Sequence, residues 1–399
     1  MSRQLISRNP DLARLAAEGF DVSVEGGHLV VRGVPFVDTA RRVRGGVMIS
    51  KLDLAGDRTI RPRDHFVWFM GGEPCDALGR PIGEMVNGRA LVDLGAGLVG
   101  EYMLCSRAVG DEYPDFYAKI TTFVAQVTAH VHVIDPTATA RSGHILAATA
   151  GRSPFAYVDT ASSRHGIGAF NDRLAGQSIG IVGLGGTGGY VLDLVAKCPV
   201  SRIHLFDDDR MEQHNAFRAP GAASIDDLRA LPSKVAHFEA IYSRMHLGIV
   251  AHEERLDRAN LYMLDHLDFV FLCVDSAASR KLLVAEMERR GLPFVDVGIG
   301  MQATGDGLLG AVRVTTVTAD MPHAGRVQPR IPMDAILDDD PYGSAAQVAD
   351  LNSLAATLAV VRWKRLAGFY LDLGREHHCV FTVDGNHILD EDRGVGAGS

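Results

Sequence analysis

The chain has 399 residues, 47% of them hydrophobic and 22% charged, with a formal net charge of −9. That length carries two or three domains, and the composition is that of a globular protein, not of a disordered or fibrous one. The acidic balance and the lack of a long basic run argue against nucleic acid as the main partner, and no apolar run reaches membrane-spanning length. The N-terminus is charged from its start and shows no signal-peptide core. The five cysteines, Cys75, Cys105, Cys198, Cys273 and Cys379, are widely spaced and form no CxxC pair. Neither a zinc site nor a disulfide framework is expected, and a reduced, cytoplasmic protein is.

Residues 1–150 read as a small α+β domain. Leu12 to Ala16 has helical spacing. Phe20 to Val34 holds two short strands about Gly26-Gly27, a hairpin signal. Gly45 to Leu54 and His65 to Met70 read as further strands, and Gly71 to Asp76 as an exposed turn containing Cys75. Phe116 to His130 repeats at helical spacing. This region holds no phosphate loop and no catalytic constellation. His65, His130 and His132 stand singly at element ends, where structural roles are far commoner than metal ligation. Docking or dimerisation is the use expected of this domain. Residues 135–176, rich in Thr, Ala, Ser and Gly, read as a connector.

The chemistry concentrates in Ser178 to Arg218. Ile179 to Val182 is a short apolar run with the composition of a buried parallel strand. Gly183-Leu184-Gly185-Gly186-Thr187-Gly188 follows at once, and Tyr190 to Ala196 has helical spacing. A second buried strand, Ile203 to Phe206, ends in Asp207-Asp208-Asp209. Strand, glycine turn, helix, strand, acid is the first half of a nucleotide-binding α/β unit. The glycines admit a phosphate close to the backbone, the helix N-terminus offers it free N–H groups, and the acid can accept from ribose hydroxyls. A glycine turn alone is weak evidence. Asn215 and Arg218, eight and eleven residues past Asp207, sharpen it. A nicotinamide site needs no arginine there; a triphosphate to be attacked at its α-phosphorus does.

Further on, Pro232 and Ser233 open a helix whose first turn holds Lys234. Asp268 to Val274 is another buried strand, ending at Asp275, so this carboxylate falls at the strand ends where open α/β sheets bind ligands. It suits magnesium, which takes few protein oxygens. Pro293 to Gly298 reads as a strand and Gly305 to Val317 as antiparallel strands. Thr318 to Tyr342 is polar and irregular, Val348 to Tyr370 is a long helix, and Val380 to Val383 with His387 to Leu389 is a hairpin before a Gly-rich tail.

Asp207-x-Asp209-x5-Asn215-x2-Arg218 resembles the D-x-D-x5-N-x2-R signature of the ThiF/MoeB and ubiquitin-activating adenylyltransferases. The resemblance covers about residues 160–372. It implies a Rossmann-like, doubly wound α/β adenylation domain over 151–375, with a crossover loop at about 318–345. The additional α+β domain precedes it, and a C-terminal hairpin and tail over 376–399 follow. It implies ATP and Mg²⁺, with Gly183, Gly185, Gly186, Gly188, Asp207, Asp209 and Asn215 on the nucleotide. Arg218 and Lys234 would neutralise phosphate charge and Asp275 would hold magnesium. Arg164 lies where relatives place an arginine that reaches the phosphates of a dimer partner, although a solvated connector arginine reads equally well.

The extra N-terminal domain, together with this form of the adenylation domain, resembles the activating enzymes of bacterial ubiquitin-like conjugation operons. That implies a homodimer, a ubiquitin-like protein with a C-terminal glycine, a ubiquitin-conjugating-like enzyme downstream, and a setting in antiviral defence. The sequence departs from the family between Cys273 and Cys379, where it has no cysteine. Family-type zinc is thereby excluded, and thioester transfer needs another thiol. Cys379, after His377 and His378 near the chain end, ranks first and Cys75 second. Direct transfer from the adenylate ranks beside them. Three other functions stay open. One is adenylylation of a sulfur carrier, a small peptide or a tRNA base; the second is an NAD-dependent oxidoreductase; the third is a silent scaffold.

Overall fold

A computed structural model describes residues 2–106, 112–141, 143, 153–319, 330–333, 347–385 and 387–390. Most of the expected crossover loop, part of the connector and the tail lie outside the described residues. The chain divides into two compact units, Met1–Asp172 and Arg173–Ser399.

The first unit opens with helices α1 (Ser2–Arg8) and α2 (Pro10–Ala17). Strands β1 (Asp21–Glu25), β2 (His28–Val37), β3 (Val43–Lys51), β6 (Phe66–Met70), β7 (Val86–Gly95) and β8 (Leu98–Cys105) form one antiparallel sheet. Its order is β1-β2-β3-β6-β8-β7, and the short strands β4 (Leu54–Ala55) and β5 (Arg58–Thr59) pair separately. The β1–β2 hairpin turns at Gly26 and Gly27, both at positive φ, as a tight two-residue turn requires. Helix α3 (Phe116–Val131) starts at Asp115, whose carboxylate accepts from the Ala118 N–H. Its Phe116, Ile120, Phe123 and Val127 recur at helical spacing and join the core with Val31, Phe36 and Phe69 of the sheet. Short helices α4 (Thr160–His165) and α5 (Gly168–Asp172) end the unit.

The turn at Gly71–Asp76 is present, but Cys75 is not exposed. It is bridged to Val37 and Pro81 and buried at 0% exposure beside Val37 and Val131. The β7–β8 hairpin has no clear sequence signal. Strand β7 is an edge strand, and Asn87, Arg89 and Asp93 interrupt its apolar pattern.

The second unit is the expected doubly wound α/β domain. Its elements are β9 (Ser178–Val182), α6 (Gly186–Val195), β10 (Arg202–Phe206), α7 (Gln213–Ala216), α8 (Ile225–Ala230), α9 (Lys234–Tyr242), β11 (Ile249–His252) and β12 (Phe269–Leu272). After these come α10 (Ala277–Arg290), β13 (Phe294–Ala303), β14 (Leu308–Val317), α11 (Ala349–Leu366), β15 (His378–Thr382) and β16 (His387–Asp390). The sheet runs β11-β10-β9-β12-β13-β14-β15-β16. It is parallel from β11 to β13 and antiparallel beyond.

Both faces of the parallel part are covered, which is why its strands are apolar throughout. Ile179, Ile181, Leu205 and Phe271 face the core shared with Val191 of α6, Phe238 of α9 and Trp363 of α11. Val182, Phe206, Val270 and Leu272 face the opposite core with Leu283 and Met287 of α10. Strand order reverses at β9 and β12, and the crevice there is where such sheets bind ligands. Among the described residues, no helix is long and apolar enough to cross a membrane.

Candidate active site

The end of β9 makes the first wall of a cavity. Gly183 sits at φ +87°, and a Cβ on it would approach the Cys273 carbonyl oxygen at 2.7 Å. Glycine is therefore required for the chain to leave the strand. Gly188 serves this turn from below: a side chain there would strike the Gly183 carbonyl. Gly183, Gly185 and Gly186 line the cavity, and Gly188 is buried behind it. Gly185 is the N-cap of α6 and supplies no side-chain acceptor. The first N–H groups of a ten-residue helix are thus left for a ligand.

The end of β10 makes the second wall. Asp207 is buried, and its two oxygens accept from the Leu184 N–H at 2.6 Å and the Asp209 N–H at 2.9 Å. Its carboxylate therefore clamps the glycine turn. Burial pushes its pKa up, against Lys234 and the two N–H donors. Lys234, the first residue of α9, donates to Asp209 at 2.6 Å and lies 3.6 Å from Asp207. That hydrogen bond holds the Asp209 carboxyl below its usual range, against partial burial. Ser233 caps α9 by accepting from the Ala236 N–H, as the sequence pattern predicts.

Arg218 lines the same cavity, and its Nε is buried with no hydrogen-bond partner. Leaving such a donor unpaired is costly, and the guanidinium it belongs to stands in the cavity wall, where an anion would be drawn. Asn215 takes a different part from the expected one. Its Oδ1 accepts from the Glu212 N–H at 2.9 Å, capping α7, and its backbone carbonyl accepts from the Arg218 N–H. It does not line the cavity; it shapes the turn that presents Arg218.

Asp275, just past β12, is exposed and lines the cavity, so a carboxylate is available to a cation there. Arg280, five residues further on, points elsewhere. It pairs with buried Asp296 at 3.0 Å and donates to the Val274 carbonyl, bracing the backbone beside Asp275. The donor set suits ATP with magnesium: free helix N–H groups, an unpaired arginine donor and a lysine for the phosphates, and an exposed carboxylate for the metal.

Sequence reasoning missed Arg255, Leu256 and Gln347, which also line the cavity. None sits in a recognisable motif. Arg255 lies 3.3 Å from Asp208, a pairing no local pattern announces. Arg164 lies on α4 in the first unit and is exposed.

The expectation for Cys379 needs correction. It lies in β15 between β14 and β16, at 3% exposure, beside the Arg362 guanidinium. His378 precedes it in a strand and so faces the other side, where it bonds Thr315 at 2.9 Å. Burial and the histidine's engagement remove the reasons for ranking this thiol first. Cys75 and Cys198 are buried too. Burial pushes the Cys75 thiol up, with Glu73 and Asp76 adding repulsion. The Cys273 thiol is also pushed up by burial, with Asp296 adding to it. Cys105 and Cys273 are both half-buried, but Cys273 sits in the wall of the cavity with its thiol pushed up, which leaves Cys105 the more reactive candidate. Alkylation of the native protein with iodoacetamide at pH 8, followed by peptide mass spectrometry, should label Cys105 first. Labelling of Cys379 ahead of it would reinstate the original ranking.

Residues 164–358 match the ThiF family, and residues 10–160 match a domain of unknown function, DUF6791. Ubiquitin-like modifier-activating enzyme 5 of Drosophila simulans is 24% identical over 147 residues, 33% of this chain and 35% of that protein. The Drosophila melanogaster enzyme of that name gives the same figures. The chain thus spans about a third of the length of the curated relatives it matches. Among solved structures, E. coli MccB with ATP is 16% identical, with 58% of this chain and 71% of that chain covered and a TM-score of 0.44. Selenomethionine PaaA is 17% identical over 57% of this chain and 76% of that chain, with a TM-score of 0.43.

Proposed function

With residues 164–358 a ThiF-family adenylyltransferase domain, we propose that this chain activates the C-terminal carboxylate of a ubiquitin-like protein at the expense of ATP. Arg218, Lys234, the α6 N-terminus and Asp275, brought together on the wall of one cavity, carry the reading. The relatives named as ubiquitin-like modifier-activating enzymes support the choice of substrate.

The carboxylate oxygen of the carrier's terminal residue attacks the α-phosphorus. The new P–O bond forms as the bond to the β-phosphate oxygen breaks, giving an acyl adenylate and pyrophosphate. No proton has to move, so the protein's work is positioning and charge neutralisation. The α6 N–H groups and Arg218 orient the phosphates. Lys234 is drawn toward them from its pairing with Asp209. When bound, magnesium neutralises charge on the leaving pyrophosphate, and Asp275 is the residue that would hold it. The first unit would serve docking or dimerisation, and a conjugating enzyme would take the product onward.

The chain should exchange labelled pyrophosphate into ATP only when a carrier protein ending in glycine is present. Exchange with a free small carboxylate and none with any carrier would replace the proposed substrate. Nicotinamide dinucleotide bound more tightly than ATP would replace the chemistry. A homodimer in which Arg164 reaches the partner's phosphates makes a separate demand. Chains carrying Arg164→Ala and chains carrying Asp275→Ala, inactive alone, should regain exchange when mixed. No recovery, or a fully active monomer in sedimentation, would reject the in-trans role.

A further inference from the structure

Helix α11 follows the crossover segment in the chain and contributes to the core against α6. Over its first three turns the buried residues other than Asn352 are all apolar: Leu351, Ala355, Ala356, Ala359 and Val360. Asn352 breaks that pattern and is 0% exposed. A buried carboxamide is costly unless its hydrogen bonds are made, and here they are made to the cavity's own walls. Thr187 Oγ1, in the first turn of α6, donates to Asn352 Oδ1 at 2.9 Å. Asn352 Nδ2 donates to the Arg218 carbonyl at 3.2 Å. Thr187 and Arg218 both line the cavity. A Cβ on Gly186 would collide with the Asn352 carboxamide, so the glycine turn is packed directly on it.

We propose that Asn352 is a positioning residue, holding the glycine turn and the Arg218 turn at one fixed separation so that both meet the same triphosphate. The proposal rests on the ATP-dependent reading above. Asn352 itself touches no phosphate: both of its polar atoms are committed to protein. Each turn could hold a phosphate alone, but a separation that drifts loses their joint grip. The Thr187 hydroxyl hydrogen goes to Asn352, so the turn meets the phosphates through backbone N–H groups. The effect of losing Asn352 should therefore fall on the phosphates and not on the nucleoside.

The test is calorimetric titration of the full chain with ATP and, separately, with adenosine. Asn352→Leu keeps the volume and removes both hydrogen bonds. It should weaken ATP by about tenfold while adenosine changes less than twofold. Thr187→Val, a milder change that removes a single bond, should move ATP in the same direction and serves if Asn352→Leu does not fold. Equal losses for ATP and adenosine would mean a purely structural role and overturn the proposal. Unchanged ATP affinity in a folded Asn352→Leu chain would do the same. Failure of the unsubstituted chain to bind ATP at all would instead remove the ATP-dependent reading, and this inference with it.

Discussion

Replacing Asp275 with alanine is expected to cut carrier-dependent pyrophosphate exchange by about a hundredfold or more. The carboxylate is exposed at the end of β12 and belongs to no core cluster, so the fold should not suffer. Of the acids in the cavity, Asp207 is committed to the glycine turn, Asp209 to Lys234, and Asp208 lies near Arg255. Asp275 is thus the carboxylate best placed to meet a cation accompanying the phosphates. Raising magnesium should recover part of the lost rate in Asp275→Asn, which keeps one oxygen ligand, and little in Asp275→Ala. Unaltered exchange by a folded Asp275→Ala chain would remove this residue from the mechanism.

The second large effect is on stability. Asp296 has 0% exposure and accepts from Arg280 Nε at 3.0 Å and Arg313 Nη2 at 2.6 Å. Both arginines are themselves buried. Deleting the acid would leave two guanidinium charges inside the protein without a counter-ion. Breaking a buried pair in this way costs about 3–5 kcal/mol, so Asp296→Ala should lose at least that. In a Trp68→Phe background, Trp363 is the remaining tryptophan and reports on the second unit through urea unfolding. A loss below about 1 kcal/mol would show that water reaches the arginines and that the network is not dry. The network also bears on the site. Arg280 donates to the Val274 carbonyl, next to Asp275, so Asp296→Asn should raise the magnesium concentration needed for exchange before it unfolds the domain.

What the sequence determined on its own was local. Strand, glycine turn and helix lie within Ile179 to Ala196, and the period of apolar residues changes from a buried strand to a helix inside that span. The place of Lys234 in the first turn of a helix was readable because a helix start has its own code, Pro and Ser before that turn; its place beside the phosphates rested on the family resemblance. Arg218 was readable from its spacing to the acids after β10, since a short connection leaves it few places to go. Asp275 was readable because a buried strand must end where open sheets bind ligands.

The tertiary structure decided what depends on distant partners. Asn352 meets Thr187 and Arg218 across 165 and 134 residues, and no local pattern encodes that meeting. Asp296 looks like an ordinary strand residue until Arg280 and Arg313 close over it. Cys75 in a polar turn and Cys379 near the chain end both look reachable in sequence. Burial is a property of what packs on top, and the cluster around Val37 and the pairing of β15 between β14 and β16 supply the cover. Asn215 shows the same limit within a motif. Its spacing marked it as important, but whether its carboxamide meets a ligand or caps a helix depends on which N–H groups the fold leaves beside it.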